Sequence, residues 1–123
     1  MIEVKRTERG WAGHFCCSYD CRFRRNTLLE YNDVGVVIST VGNMIRNGVP
    51  EEIGLDRDYE TMAFYVDKRT KEYKDADVRK QIFFDSNWQL KNDGDDDFID
   101  NKANDMHEAV VKELSEKLIR GEL

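Results

Sequence analysis

Long apolar runs are missing from this chain. No stretch approaches the ~20 apolar residues that a membrane-spanning helix needs. The N-terminal MIEVKRTERGW carries no apolar segment of the kind found in a secretory signal. The expectation is a protein that stays inside the cell, with no membrane partner. Histidine occurs only twice and proline once, at Pro50. Gly-x-Ser-x-Gly, His-Glu-x-x-His, Walker and Gly-x-Gly-x-x-Gly patterns are all lacking. His14 and Cys16 would project in parallel from a strand, with no third group to orient them. The chain is therefore not expected to be an enzyme.

Cysteine is sparse and odd in number, at 16, 17 and 21. An odd count argues against a disulfide framework and for thiols in a reducing compartment. With His14 these cysteines could offer zinc ligands. Neighbours 16 and 17 on a strand point to opposite faces, however, and no second ligand pair follows at finger-like spacing. Neither a metal nor a cofactor is expected. Positive charge is also short: 19 Lys+Arg face 25 Asp+Glu, for a net charge of −6. That argues against a general nucleic-acid binder, which needs a basic footprint. It leaves room for a small anion in a local basic pocket, because residues 1–50 are net positive and the rest strongly acidic.

What is present suits one folded domain, 1–123. Hydrophobic residues make up 40% and aromatics 11%, enough for a core. Residues 1–7 alternate Ile2 and Val4 with charges, as a strand does, and AGHFCCSY reads as a second extended segment. In RFRRNTLLEY, Phe23, Arg25, Thr27, Leu29 and Tyr31 share one face. Asn32-Asp33 then turns the chain. GVVISTVG (35–42) is β-branched enough for a central strand, and Asn47-Gly48 marks a tight turn. DYETMAFYVD alternates cleanly, and 77–90 holds a further strand with a break at DSN. KNDGDDD (91–97) reads as a solvated acidic loop. It lacks the glycine and the terminal glutamate of a calcium loop, since Phe98 and Asn104 stand there.

One convincing helix follows, capped by Asp100 or Asn101 and stopped at Gly121. Its stripe is Ala103, Met106, Val110, Leu114 and Leu118, joined by His107 and Val111. The expected fold is α+β: a curved antiparallel sheet of about five or six strands with one long C-terminal helix. One helix cannot cover a sheet that wide, so the other face, or an edge, is an expected place for self-association into a homo-oligomer.

Among charged residues Arg25 is singular. Arg22 and Arg24 fall on the polar face, where solvent suffices. Arg25 shares a face with Phe23, Leu29 and Tyr31, so it must snorkel, pair or hold an anion. Trp11, Phe15, Tyr19 and Phe23 stand close by in sequence. Arginine with aromatics is the composition of a nucleotide pocket; the same aromatics also suit a core.

Five segments, RGWAGHF, CRFRRNTLLEY, VISTVG, YETMAFY and ANDMHEAVV, carry a resemblance that runs nearly end to end. The chain resembles the anti-Thoeris family of small phage and prophage proteins. Such proteins act as sponges for a cyclic ADP-ribose variant made by a TIR-domain defence protein. Some also capture cyclic oligonucleotide signals, in pockets formed by oligomers. The resemblance implies a nucleotide-binding anti-defence protein that sequesters a cyclic nucleotide signal, uncleaved, in the cytoplasm of the infected bacterial host. Cys16-Cys17 after GHF departs from the more aliphatic residues of that family. Candidate ligand-binding residues in and beside these segments are Trp11, His14, Phe23, Arg24, Arg25, Arg57, Asn104 and His107. The rival expectation is a protein-binding inhibitor, anti-CRISPR-like, in which the acidic stretch Asp93–Asp100 imitates nucleic-acid phosphates. A third is a phage structural protein whose surface serves assembly.

Overall fold

A computed structural model describes residues 3–9, 14, 18–84, 88–91 and 96–123, with residues 18 and 96–99 described by their backbone alone. The elements are β1 (Lys5–Glu8), β2 (Cys21–Tyr31), β3 (Val34–Arg46), β4 (Val49–Glu51), β5 (Tyr59–Val66), β6 (Ala76–Ile82), β7 (Gln89–Leu90) and α1 (Asp96–Ile119). All strand pairings are antiparallel, in the order β1-β2-β3-β5-β6. β4 pairs with the far end of β3, and β7 pairs with the start of β5. The sheet is curved and unclosed, and with α1 it gives an α+β fold.

The β-branched run at 35–42 becomes the middle of β3, paired on both sides. Its two ends turn as the sequence asks. Asn32 takes φ 53° between β2 and β3, and Asn47 and Gly48 take 53° and 76° between β3 and β4. Consecutive positive φ values match the right-handed twist of a two-residue hairpin.

Register decides the faces. Thr27 opposes Ile38, which opposes Ala63; Leu29 opposes Val36. Leu29, Val36, Ile38 and Ala63 meet Val110, Val111, Leu114 and Leu118 of α1 in one core. Phe23, Tyr59, Ala103 and Met106 form a second cluster under the start of the helix. The expected stripe of α1 is buried throughout. The helix ends with Gly121 at φ 72°, its N–H bonded to Leu118 and that of Glu122 to Lys117. This is the paired closure that a left-handed glycine permits.

Two sequence expectations are corrected. The helix begins at Asp96, a turn before Asp100; Asp100 is no cap but accepts a hydrogen bond from the Tyr59 hydroxyl. The expected second extended segment ends instead in a 3-10 turn, Ser18–Asp20; most of the rest of it lies outside the described residues. The face away from α1 carries apolar side chains of its own. Its Leu28, Val37, Val41 and Phe64 are buried within the chain, and His14 lies upon it.

Candidate functional site

A polar row crosses the sheet beneath the helix. Glu8 opposes Thr27, Arg25 opposes Thr40, and Thr40 opposes Thr61. His107 of α1 drops into this row and is fully buried. Its Nε2 lies 2.7 Å from Thr27 Oγ1 and its Nδ1 2.7 Å from Thr40 Oγ1. Thr40 Oγ1 lies 2.6 Å from Thr61 Oγ1, and Thr27 Oγ1 donates to Glu8 Oε2 at 2.7 Å.

An ionised carboxylate only accepts, so it sets the direction of the whole chain. Thr27 spends its proton on Glu8 and so accepts from His107 Nε2–H. His107 Nδ1 then accepts from Thr40, and Thr40 accepts from Thr61. The neutral Nε2–H tautomer satisfies every member. Burial, aided by the Arg25 charge, pushes the His107 pKa down to about 4. Burial opposes ionisation of Glu8. The Thr27 hydrogen bond and the paired Arg25 outweigh it, and hold the Glu8 carboxyl below its usual range.

Arg25 closes this network. Its Nε and Nη2 donate to Glu8 Oε1 at 2.9 and 2.7 Å. Its Nη1 lies 3.4 Å from Glu108 Oε2 and 3.5 Å from Asn104 Oδ1. Arg6 donates to the same Glu108 carboxylate, at 3.0 and 2.5 Å. The charge on the apolar face is thus met by acids from β1 and α1, and its fork is satisfied inside the chain.

The opposite face carries a second network. His14 is almost fully buried there. Its Nε2 lies 2.7 Å from Glu60 Oε1 and its Nδ1 3.0 Å from Ser39 Oγ. By the same logic Nε2–H donates to the carboxylate, while Nδ1 shares a hydrogen bond with the Ser39 hydroxyl. Arg57 Nε lies 2.8 Å from Glu60 Oε2 but off the line of its N–H, so the contact is an ion pair rather than a hydrogen bond. The guanidinium rests on Gly54, where an added Cβ would stand 2.5 Å from Nε. Glu60, Val41 and Arg24 are in register across β5, β3 and β2. Arg22 and Arg24 are both exposed, and neither has an acidic partner among the described residues. Just before them, the Tyr19 ring is 73% exposed.

Within one chain, the seven described sequence candidates divide between the two faces of the sheet. Arg25, Asn104 and His107 belong to the row under the helix. Phe23 is there too, as core, edge-on to Tyr59 with ring centroids 5.7 Å apart. His14, Arg24 and Arg57 lie on the opposite face. Trp11 lies outside the described residues, as do Phe15, Cys16 and Cys17. Sequence reasoning missed Glu8, Ser39, Thr40, Thr61 and Glu60. The readable signal was polar residues at inward positions of β3 and β5; Glu8 gave none. Comparison of the chain with protein-family models, curated proteins and solved structures gives no match.

Proposed function

We propose that this chain captures a small phosphate-bearing nucleotide signal, a cyclic ADP-ribose variant or a cyclic oligonucleotide, and holds it intact. The observation that carries this reading is the Arg22–Arg24 pair. Two residues apart on β2, they project from one face about 6.6–7 Å apart. Both are exposed and without an acidic partner among the described residues. That spacing suits two phosphate oxygens, and the exposed Tyr19 supplies an aromatic surface for a base. Arg57, half-buried and braced by Glu60, adds a third cation on the same side.

Two further points support capture without turnover. Both histidines have their two ring nitrogens engaged inside the fold, so neither is set to move a substrate proton. The likeness to the anti-Thoeris sponges supports the ligand class and the host-cell setting, in which the protein serves a phage against bacterial defence. One strand face cannot enclose a nucleotide, so the working form on this reading is a homo-oligomer with a second copy closing the pocket.

The test is calorimetry against cyclic ADP-ribose isomers and cyclic di- and trinucleotides, with bound ligand recovered and identified chromatographically. Tight binding of at least one, recovered unchanged, is expected. Arg24→Ala removes charge-assisted hydrogen bonds worth about 1.5–3 kcal/mol each, a fall of at least about tenfold in affinity. No binding of any, or recovery of a cleaved product, refutes the proposal.

A further inference from the structure

A sizeable cavity lies away from those arginines. It is a cleft of about 740 Å³ at the end of the sheet where the β2–β3 turn meets the β5–β6 loop. Its volume falls within the ~300–1,000 Å³ usual for small-molecule sites. Four lysines line it, at 68, 71, 74 and 80, over a floor that includes Val34, Val66 and the half-buried Tyr65.

Charge accounting inside the cleft favours an anion. Lys74 Nζ is bound to Glu30 at 2.5 Å. Asp67 is held by Arg69 through contacts of 3.0 and 2.8 Å. Those acids are neutralised in place. Lys68, Lys71 and Lys80 are exposed and have no partner among the described residues. Against three such ammoniums the lining retains Asp33 alone, so the cleft is locally positive on a chain of net charge −6.

The wall is also preformed. In the β5–β6 loop Thr70 Oγ1 donates to Asp67 O at 2.7 Å and accepts from the Asp75 N–H at 3.0 Å. Lys74 N donates to Thr70 O at 2.8 Å. Arg9 Nη1 ties the loop down from outside, at 2.8 Å from Tyr73 O and 3.1 Å from Lys74 O. A wall already ordered costs little to organise on binding.

We propose that this cleft binds a small anion carrying two or more phosphates, at a site separate from the β2 arginines. Lysine ammoniums are compact point charges that meet phosphate oxygens from several directions. Three of them around one cleft match a chain of phosphates better than a single one.

The probe is pyrophosphate, titrated calorimetrically at low salt, with sulfate as the comparison and amide chemical shifts as the locator. Wild type is expected to bind pyrophosphate, with shifts concentrated at residues 67–74 and 32–35. The triple variant Lys68→Ser/Lys71→Ser/Lys80→Ser, all exposed positions that leave the core untouched, is expected to lose at least about tenfold in affinity. Arg22→Ala/Arg24→Ala is expected to bind pyrophosphate as wild type does. The proposal is overturned by absence of binding at millimolar pyrophosphate, by sulfate binding as tightly, by an unaffected triple variant, or by shifts centred on β2. Failure here leaves the cyclic-nucleotide assay with Arg24→Ala standing. Failure of that assay leaves this one standing.

Discussion

Acidification tests the row under the helix most directly. His107 has its pKa pushed from 6.5 to about 4 by burial and by Arg25. The charged groups around it are Arg6 and Arg25, which oppose its protonation, and Glu8 and Glu108, which favour it. In the unfolded chain the ring takes up a proton as pH falls through 6.5, while in the folded chain it does not until about 4. The unfolded state therefore binds more protons in that window, and stability falls with falling pH. Each pKa unit is about 1.36 kcal/mol, so the full effect approaches about 3 kcal/mol, with about 2 kcal/mol already lost between roughly pH 7 and pH 5. Urea unfolding followed by tryptophan fluorescence across that range measures it. The comparison is His107→Gln, whose amide can give one hydrogen bond and take another but never charges. The variant starts lower, by about 1–3 kcal/mol for imperfect replacement of buried hydrogen bonds, yet loses little more on acidification. Parallel pH curves for wild type and variant would refute the tautomer and the burial argument together.

Three other outcomes follow from the same geometry. Arg25→Ala removes a mostly buried fork from Glu8 and Glu108, and a loss of about 1–2 kcal/mol is expected, or about 4–8 °C in Tm by calorimetry for a domain of this size; an unchanged Tm would mean the ion pairs contribute nothing. Gly42→Ala places a Cβ 2.2 Å from Tyr59 Cδ2 and 2.7 Å from Asp58 O, so a drop of about 2 kcal/mol or more in urea stability is expected. Replacing Asp95, Asp96 and Asp97 with Ser is expected to leave nucleotide affinity within a few-fold while weakening the start of α1 by roughly 0.3–1 kcal/mol per charge lost; loss of all anti-defence activity in plaque assays with the fold intact would instead favour the acidic-mimic reading.

Much of the fold was legible because its period is short. The alternation of Phe23, Arg25, Thr27 and Leu29 and of Tyr59, Thr61 and Ala63 fixes which side chains meet the helix, and those faces are the ones observed. The stripe from Ala103 to Leu118 and the stop at Gly121 are equally local signals. The start of α1 was not legible, because a run of aspartates reads as loop while the helix N-terminus welcomes negative charge. The three-residue β4 and two-residue β7 are too short to show a period. Arg25 was singled out correctly as a charge needing a partner. Its partners are Glu8 and Glu108, 17 and 83 residues away, and no pattern in the chain links them. Separation of the candidates onto two faces was half visible: strand parity divides Arg24 from Arg25, but the side taken by His14 depends on a long-range contact.

The order of elements also bears on how the protein is made. All seven strands among the described residues precede α1 in the chain, so a growing polypeptide can complete the sheet before its covering helix has been synthesised. During that interval Leu29, Val36, Ile38 and Ala63 face solvent or a chaperone, with β1 and β6 as open borders. Burial of His107 and recruitment of Glu108 to Arg6 and Arg25 come only when the helix arrives. Messages truncated before the helix are therefore expected to yield nascent chains that aggregate or are degraded, and slow decoding upstream of residue 96 would lengthen the exposure.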